Sequence, residues 1–298
     1  MKKPKTEPFI SVIIPTRERG KLLIDTIDAL LKNDYTNFEI IAVDQTKRPA
    51  PEVIDYFKKN LGKVRHIWIE KEGLPNARNV GISHARGDVL LFLDDDIIPG
   101  KRLLSSHARW YRDETIDGLG GKIIRPERPP RRMIKNPRRI AKIRFGGLIL
   151  SDNLDADISA DVDYVGGGNM SFRREVFDTV GTFDIRYGGH SHLEETDFSV
   201  RAKKHGFHLR FEPKASLVHL AEPSGGCRPK SEKEWFFWYG HNLCLFYKKN
   251  FPSFFFPGYL LFIFIKLLFS AARRWNVRVL AWGTQGMIHC MKRTMRSR

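Results

Sequence analysis

Three consecutive carboxylates, Asp94-Asp95-Asp96, follow directly on the apolar run Val89 to Leu93. Like charges this close repel unless something positive neutralises them. A divalent cation held by oxygen ligands does so, and a diphosphate can complete its shell. The structural alternative is an acidic turn capping a helix from Pro99, but a cap needs one acid and not three. Thr16, Arg17 and Glu18 follow the run Phe9 to Ile14, and Asp44 follows Phe38 to Val43. Glu194, Glu195 and Asp197 cluster at the start of a helical stretch, after His190 and His192. A carboxylate there suits general-base work on a hydroxyl, although acids also favour a helix N-terminus for purely structural reasons. His219 reads as a metal ligand or as a core histidine. Gly166-Gly167-Gly168-Asn169 lets a ligand approach the backbone, or forms a bulge. Arg78, on a helix opened by Gly73-Leu74-Pro75, reaches phosphate or is a solvated surface residue.

The elements that must carry these groups alternate. Residues 9–14, 38–43, 64–69 and 88–93 read as strands, separated by helices over 21–31, 51–60 and 76–85. Strands that are near-continuous apolar runs imply a parallel sheet covered on both faces. The expected class is α/β, doubly wound, with ligands at the carboxyl ends of the strands. The polar strand ends then line one crevice. Farther along, helices are expected over 173–180 and 194–206. Short strands at 208–211 and 216–219 are expected to be separated by Pro213.

With 298 residues, 42% hydrophobic and 29% charged, the chain can bury a real core. Global disorder, collagen and a polytopic membrane protein are excluded. The balance of 51 Lys+Arg against 34 Asp+Glu gives a net charge of +17. That surplus points to a polyanionic neighbour: nucleic acid, anionic lipid or a phosphorylated substrate. Between Arg125 and Arg144 nine basic residues face one acid, Glu127, and prolines break any helix. Nucleic acid fits poorly, because aromatics do not interleave with these cations and no helix-turn-helix or zinc spacing occurs. Cys227, Cys244 and Cys290 form no paired spacing and suit a reducing compartment. No apolar run follows the N-terminus, so a cytosolic address is expected. Residues 250–272 are strongly apolar but interrupted by Pro252, Pro257 and Lys266, with Lys248-Lys249 before and Arg273-Arg274 after. An interfacial or re-entrant helix on the cytoplasmic face is expected, with a single span or a buried core helix as alternatives.

Taken in order, Thr16-Arg17-Glu18, Asp44, Gly73 to Gly81, Asp94-Asp95-Asp96, Asn169 to Arg174, and Glu194-Glu195 through His219 resemble the family 2 glycosyltransferases. The resemblance covers about residues 9 to 222. It implies the GT-A fold, Rossmann-like with a mostly parallel central sheet, over 1–225. The remainder, 226–298, is expected to be a helical, aromatic and basic membrane-associating region. It also implies inverting transfer of one sugar from a nucleotide-diphosphate sugar to a glycan or lipid-pyrophosphate-linked acceptor, in cell-surface polysaccharide synthesis. The resemblance assigns Thr16, Glu18, Asp44, Arg78, Asp94, Asp95, Gly167 and Asn169 to the nucleotide sugar. Asp94, Asp96 and His219 fall to Mn²⁺ or Mg²⁺, and Glu195 to the base, with Asp197 as fallback. Gln45 and Glu195 depart from the commoner family residues. Processive members carry Gln-x-x-Arg-Trp before their membrane helices; here Arg274-Trp275 comes after the apolar run and Ala271 stands in place of the Gln, so non-processive, rhamnosyltransferase-like members are the better match. A nucleotidyltransferase would also join a parallel sheet to metal carboxylates, but Thr16 to Gly20 is a poor phosphate loop.

Overall fold

The computed structural model describes residues 7–112, 115–127, 134–144, 147, 149–151 and 153–295. The chain begins with β1 (Ile10–Thr16), α1 (Gly20–Leu31), β2 (Phe38–Asp44), α2 (Pro51–Lys59), β3 (Val64–Trp68), α3 (Leu74–His84) and β4 (Val89–Leu93). These four strands lie parallel in the order β3-β2-β1-β4. Every residue of β1 and β4 is buried. Ile10, Val12 and Ile14 pack toward α1 and α2, and Ile13 packs toward the opposite layer with Phe92. Side chains alternating between two covered faces explain why these strands read as continuous apolar runs.

The second half turns the sheet mixed. It runs through β5 (Ile97–Pro99), α4 (Leu103–Tyr111), β6 (Gly118–Ile124), the short hairpin β7 (Lys142–Arg144) and β8 (Ile149–Ser151), and β9 (Ala160–Asp161). Then come β10 (Asn169–Arg173), α5 (Arg174–Val180), α6 (Glu194–Lys204) and β11 (Leu209–His219). The full order is β3-β2-β1-β4-β10-β6-β11-β5, with β9 on β11. β10 is antiparallel to both β4 and β6.

Two sequence expectations change here. The strand β6 is not foreseen, because glycines at 118, 120 and 121 erase its apolar pattern. They are needed: a Cβ at Gly121 would collide with the Ala215 carbonyl and the Asn169 amide. Pro213 does not divide two strands either. β11 is one strand of 11 residues, and its register against β6 shifts between Glu212 and Ser216, a bulge that accommodates the proline.

Three helices complete the chain: α7 (Glu232–Asn250), α8 (Phe256–Arg273) and α9 (Arg278–Met295). Ser231 caps α7 by accepting from the Glu234 N–H at 3.1 Å, while Glu234 accepts from the Lys230 N–H at 2.8 Å. The α7 and α9 backbones approach closely where Gly240 meets Gly283. α8 lays Tyr259, Ile263, Leu267 and Ala271 against them and leaves Leu261, Phe264, Ile265, Leu268 and Phe269 exposed. Ser253–Arg273 is long and apolar enough to cross a membrane. Part of the basic stretch, 128–133, lies outside the described residues.

Beneath the sheet, His107 of α4 is fully buried. Its Nε2 bonds the Asn169 Oδ1 at 2.9 Å and its Nδ1 bonds the Ser171 Oγ at 2.8 Å. Burial pulls the imidazole down to about 4, with the Asn169 bond acting the other way. The unfolded chain protonates this histidine near 6.5, so the folded, neutral form contributes stability above that pH. That contribution fades as pH falls from about 6.5 toward 4, and totals on the order of 3 kcal/mol. Urea unfolding at pH 7 and pH 5 should therefore show a steeper loss for the wild type than for His107→Gln.

Candidate active site

The carboxyl ends of β1, β2 and β4 fall on one edge because the strands run parallel in near-level register, Thr16 opposite Asp44 and Ile13 opposite Phe92. Asp94, Asp95 and Asp96 emerge there. The antiparallel pairing of β5 with β11 sets His219 opposite Ile97, one residue past the aspartates. The His219 Nε2 lies 3.5 Å from Asp94 Oδ2 and 3.4 Å from Asp96 Oδ1. One ligand atom each from Asp94, Asp96 and His219 fall within 4.8 Å of one another.

The three aspartates are not equivalent. Asp95 turns inward, accepting from the Thr16 Oγ1 at 2.7 Å and from Arg19 Nη1 at 2.8 Å. Burial raises its carboxyl to about 6 against the pull of Arg19. Asp96 uses Oδ2 for the Glu222 N–H at 3.0 Å and for Arg19 at 3.1 Å. Its Oδ1 is buried without a hydrogen-bond partner. A buried, unpartnered carboxylate oxygen facing a second carboxylate and an imidazole is costly, and a divalent cation would satisfy it. The donor set, two oxygens and one nitrogen, suits Mn²⁺ or Mg²⁺.

Two cavities meet at this point. One, of about 300 Å³, is lined by Arg19, Asp94 to Asp96, His219 and the segment Gly226 to Pro229. The other, of about 580 Å³, is lined by Gly166 to Gly168, Glu195, His192, Tyr239 and Lys266. Asp94, His219 and Trp235 border both. Leu193, with φ at +71°, turns the chain into α6 so that Glu194 and Glu195 diverge. Glu195 is half-buried on the larger cavity. Burial raises its carboxyl above the usual range, opposed by Arg78 and reinforced by Asp94. Glu194 is buried and paired with Arg78.

The other expected site residues differ in burial and partners. The Arg78 guanidinium is buried, donates to the Gly167 carbonyl at 2.9 Å and lines neither cavity. It braces the Gly167 loop against α6, within electrostatic reach of Asp94 and Glu195. Asn169 faces the core, where it donates to the Ala215 carbonyl at 2.9 Å and accepts from His107. Asp197 is fully buried, its oxygens accepting from Tyr187, Arg201, Lys249 and Asn250, so it does not face the cavity as a substitute base. Asp44 is buried beside the His66 Nε2 at 3.0 Å, and Glu18 is exposed on an outer cavity with Lys47. Thr16 borders a small cavity of about 40 Å³ with Gln45 and Gly73. Sequence reasoning missed Arg19, which also donates to the carbonyls of Ser224 and Glu222. Its partners lie some 200 residues away in sequence, beyond the reach of any local signal.

A family model described as Glycosyl transferase family 2 matches residues 11–181, more than half of the chain. The chain belongs to family 2 of the glycosyltransferases. Among curated relatives, "Glycosyltransferase GlyG" of Streptococcus pneumoniae serotype 4 is 32% identical over 115 residues, 38% of each chain. The match thus spans well under half of that relative's length. A mannosyltransferase from Pyrobaculum calidifontis, solved with GDP-Man and Mn²⁺, superposes with a TM-score of 0.60 at 16% identity, over 97% of this chain and 88% of its own. Staphylococcus aureus TarS 1–349, solved with UDP, gives 0.57 at 17% identity, over 88% and 73%. These likenesses show the fold, which is GT-A. The Asp94–Asp96 edge lies within the residues that the family model matches.

Proposed function

We propose that this family 2 chain is an inverting, metal-dependent transferase that moves one sugar from a nucleoside diphosphate sugar to a glycan or lipid-linked glycan, in cell-surface polysaccharide synthesis. One observation carries the reading: the orphaned Asp96 Oδ1 beside Asp94 and His219, with the half-buried Glu195 across the adjoining cavity. Asp94, Asp96 and His219 would hold Mn²⁺ or Mg²⁺. A bound divalent cation supplies charge stabilisation for the leaving nucleoside diphosphate. Asp95, Thr16 and Arg19 fix the backbone that presents those ligands. Thr16, Asp44 and Glu18 stand on the nucleotide side, and the Gly167 backbone borders the sugar. Glu195 takes the proton of the attacking hydroxyl, and burial makes it a stronger base than an ordinary glutamate. The Pyrobaculum and Staphylococcus neighbours, solved with GDP-Man and with UDP, support a nucleotide donor in this fold.

We place the enzyme at the cytoplasmic membrane face, with α8 lying in the interface. The exposed apolar face of α8, flanked by Lys248, Lys249, Arg273, Arg274 and Arg278, supports attraction to anionic lipid. The reading is tested by thermal shift with UDP, GDP and dTDP, each with Mn²⁺ or EDTA. A ligand at about 100 times its dissociation constant adds roughly 2.7 kcal/mol, a rise of several degrees. One nucleotide should give that rise with Mn²⁺ and not with EDTA. No rise with any nucleotide, alongside salt-sensitive RNA or DNA binding, would replace it with nucleic-acid binding.

A further inference from the structure

Lys266 is the one charge on α8 before its terminal Arg273. It is half-buried, and its Nζ stands 4.9 Å from the Phe262 ring centroid. Among the described residues it forms no ion pair, although the structure is rich in them. Lysines often run their stems along apolar surface to keep the ammonium in water. The exposed face of α8 offers that route, yet Lys266 lines the 580 Å³ cavity that also holds Glu195. Burial holds His192 near 3, and the charges of His190 and Lys266 act in the same direction.

That wall is a continuous stack of rings. Trp235 and Tyr239 lie 5.0 Å apart at 18°, His190 stacks on Trp235 at 5.0 Å, and His192 on Tyr239 at 5.5 Å. The rings cover one another's faces, and the partly exposed Trp235 and Tyr239 give the cavity an aromatic wall against which the C–H groups of a sugar can pack. The cavity thus joins two carboxylates, Asp94 and Glu195, an aromatic wall, and a lysine with no ion pair among the described residues. A lysine in such a place is a compact point charge suited to phosphate. The outer side of the same helix exposes Leu261, Phe264, Leu268 and Phe269.

We propose that Lys266 binds the phosphate of a phosphorylated acceptor, a glycosyl phosphate or diphosphate, whose sugar packs against the Trp235 and Tyr239 wall with its hydroxyl at Glu195. This rests on the reading of Glu195 as the acceptor-side base. The phosphate belongs either to a lipid carrier or to a soluble sugar phosphate, and the shared chemistry is the anion beside the sugar.

The test compares the full-length wild type with Lys266→Met, Lys266→Gln and Lys266→Arg by calorimetry in EDTA, which keeps phosphate from binding through metal at Asp94 and Asp96. The probes are farnesyl phosphate against farnesol, and glucose 1-phosphate against glucose. Wild type and Lys266→Arg should prefer a phosphorylated probe by about tenfold or more, the scale of one charge-assisted hydrogen bond. Lys266→Met and Lys266→Gln should lose that preference. A preference confined to the farnesyl pair names a lipid acceptor, and one shared by both pairs names the phosphate itself. An unchanged preference in Lys266→Met and Lys266→Gln, or none in the wild type, overturns the proposal. Nucleotide binding with Mn²⁺, measured on the same protein preparations without EDTA, should be equal in all four proteins. Its absence from the wild type overturns the transferase reading instead.

Discussion

Glu195→Gln is expected to lower the transfer rate by about 10²- to 10⁴-fold, the contribution of a positioned general base, while nucleotide binding with Mn²⁺ is retained. The substitution keeps the shape of the side chain and removes its ability to take a proton. Asp197 cannot take over, since both of its oxygens already accept from neighbouring donors in the fully buried layer behind α6. A pH profile gives a second readout. Burial raises the Glu195 carboxyl, and the base must be deprotonated to act. Activity should therefore fall on the acid side at a higher pH than an ordinary glutamate would dictate, and that limb should vanish with Glu195→Gln. A variant transferring at near wild-type rate would remove Glu195 from the mechanism.

Asp96→Asn should abolish the Mn²⁺-dependent thermal rise with nucleotide and cut transfer by about 10³-fold or more, the scale of several kcal/mol of metal-supplied stabilisation. The reasoning is geometric. Asp96 Oδ2 is occupied by the Glu222 N–H and Arg19, which leaves Oδ1 to face Asp94 and His219. An amide at this position loses charge and places a donor where an acceptor is required. Asp95→Asn provides the contrast, because Asp95 is turned toward Thr16 and Arg19. It should weaken the fold more than it weakens metal-dependent binding. Equal loss of the thermal rise in both variants would contradict the division of labour among the three aspartates. Both are checked by thermal shift and by steady-state transfer.

Much of the architecture is legible along the chain, and the reasons are local. β1, β2 and β4 announce themselves as apolar runs because both of their faces are covered, and the polar residue ending each run marks the edge where ligands are expected. β6 escapes because its glycines serve a close approach to β10 and β11, a requirement set by neighbours distant in sequence. Pro213 misleads because a proline that ends a regular strand is tolerated at a bulge.

Sequence by itself determined the family 2 resemblance, the parallel half of the sheet, the acidic strand end and the apolar, lysine-bearing helix, since each is written in contiguous residues. Tertiary structure alone decided which of those residues act together. Pairing of β5 with β11 brought His219 to the aspartates, and Arg19 tied Asp95 and Asp96 to the segment after β11. The same packing gave Arg78, Asn169 and Asp197 buried polar partners, while Lys266 reached the cavity with no ion pair among the described residues. Polarity and spacing fix what a side chain can do chemically. Whether a buried polar group is spent on the fold or left for a ligand depends on partners supplied from elsewhere in the chain.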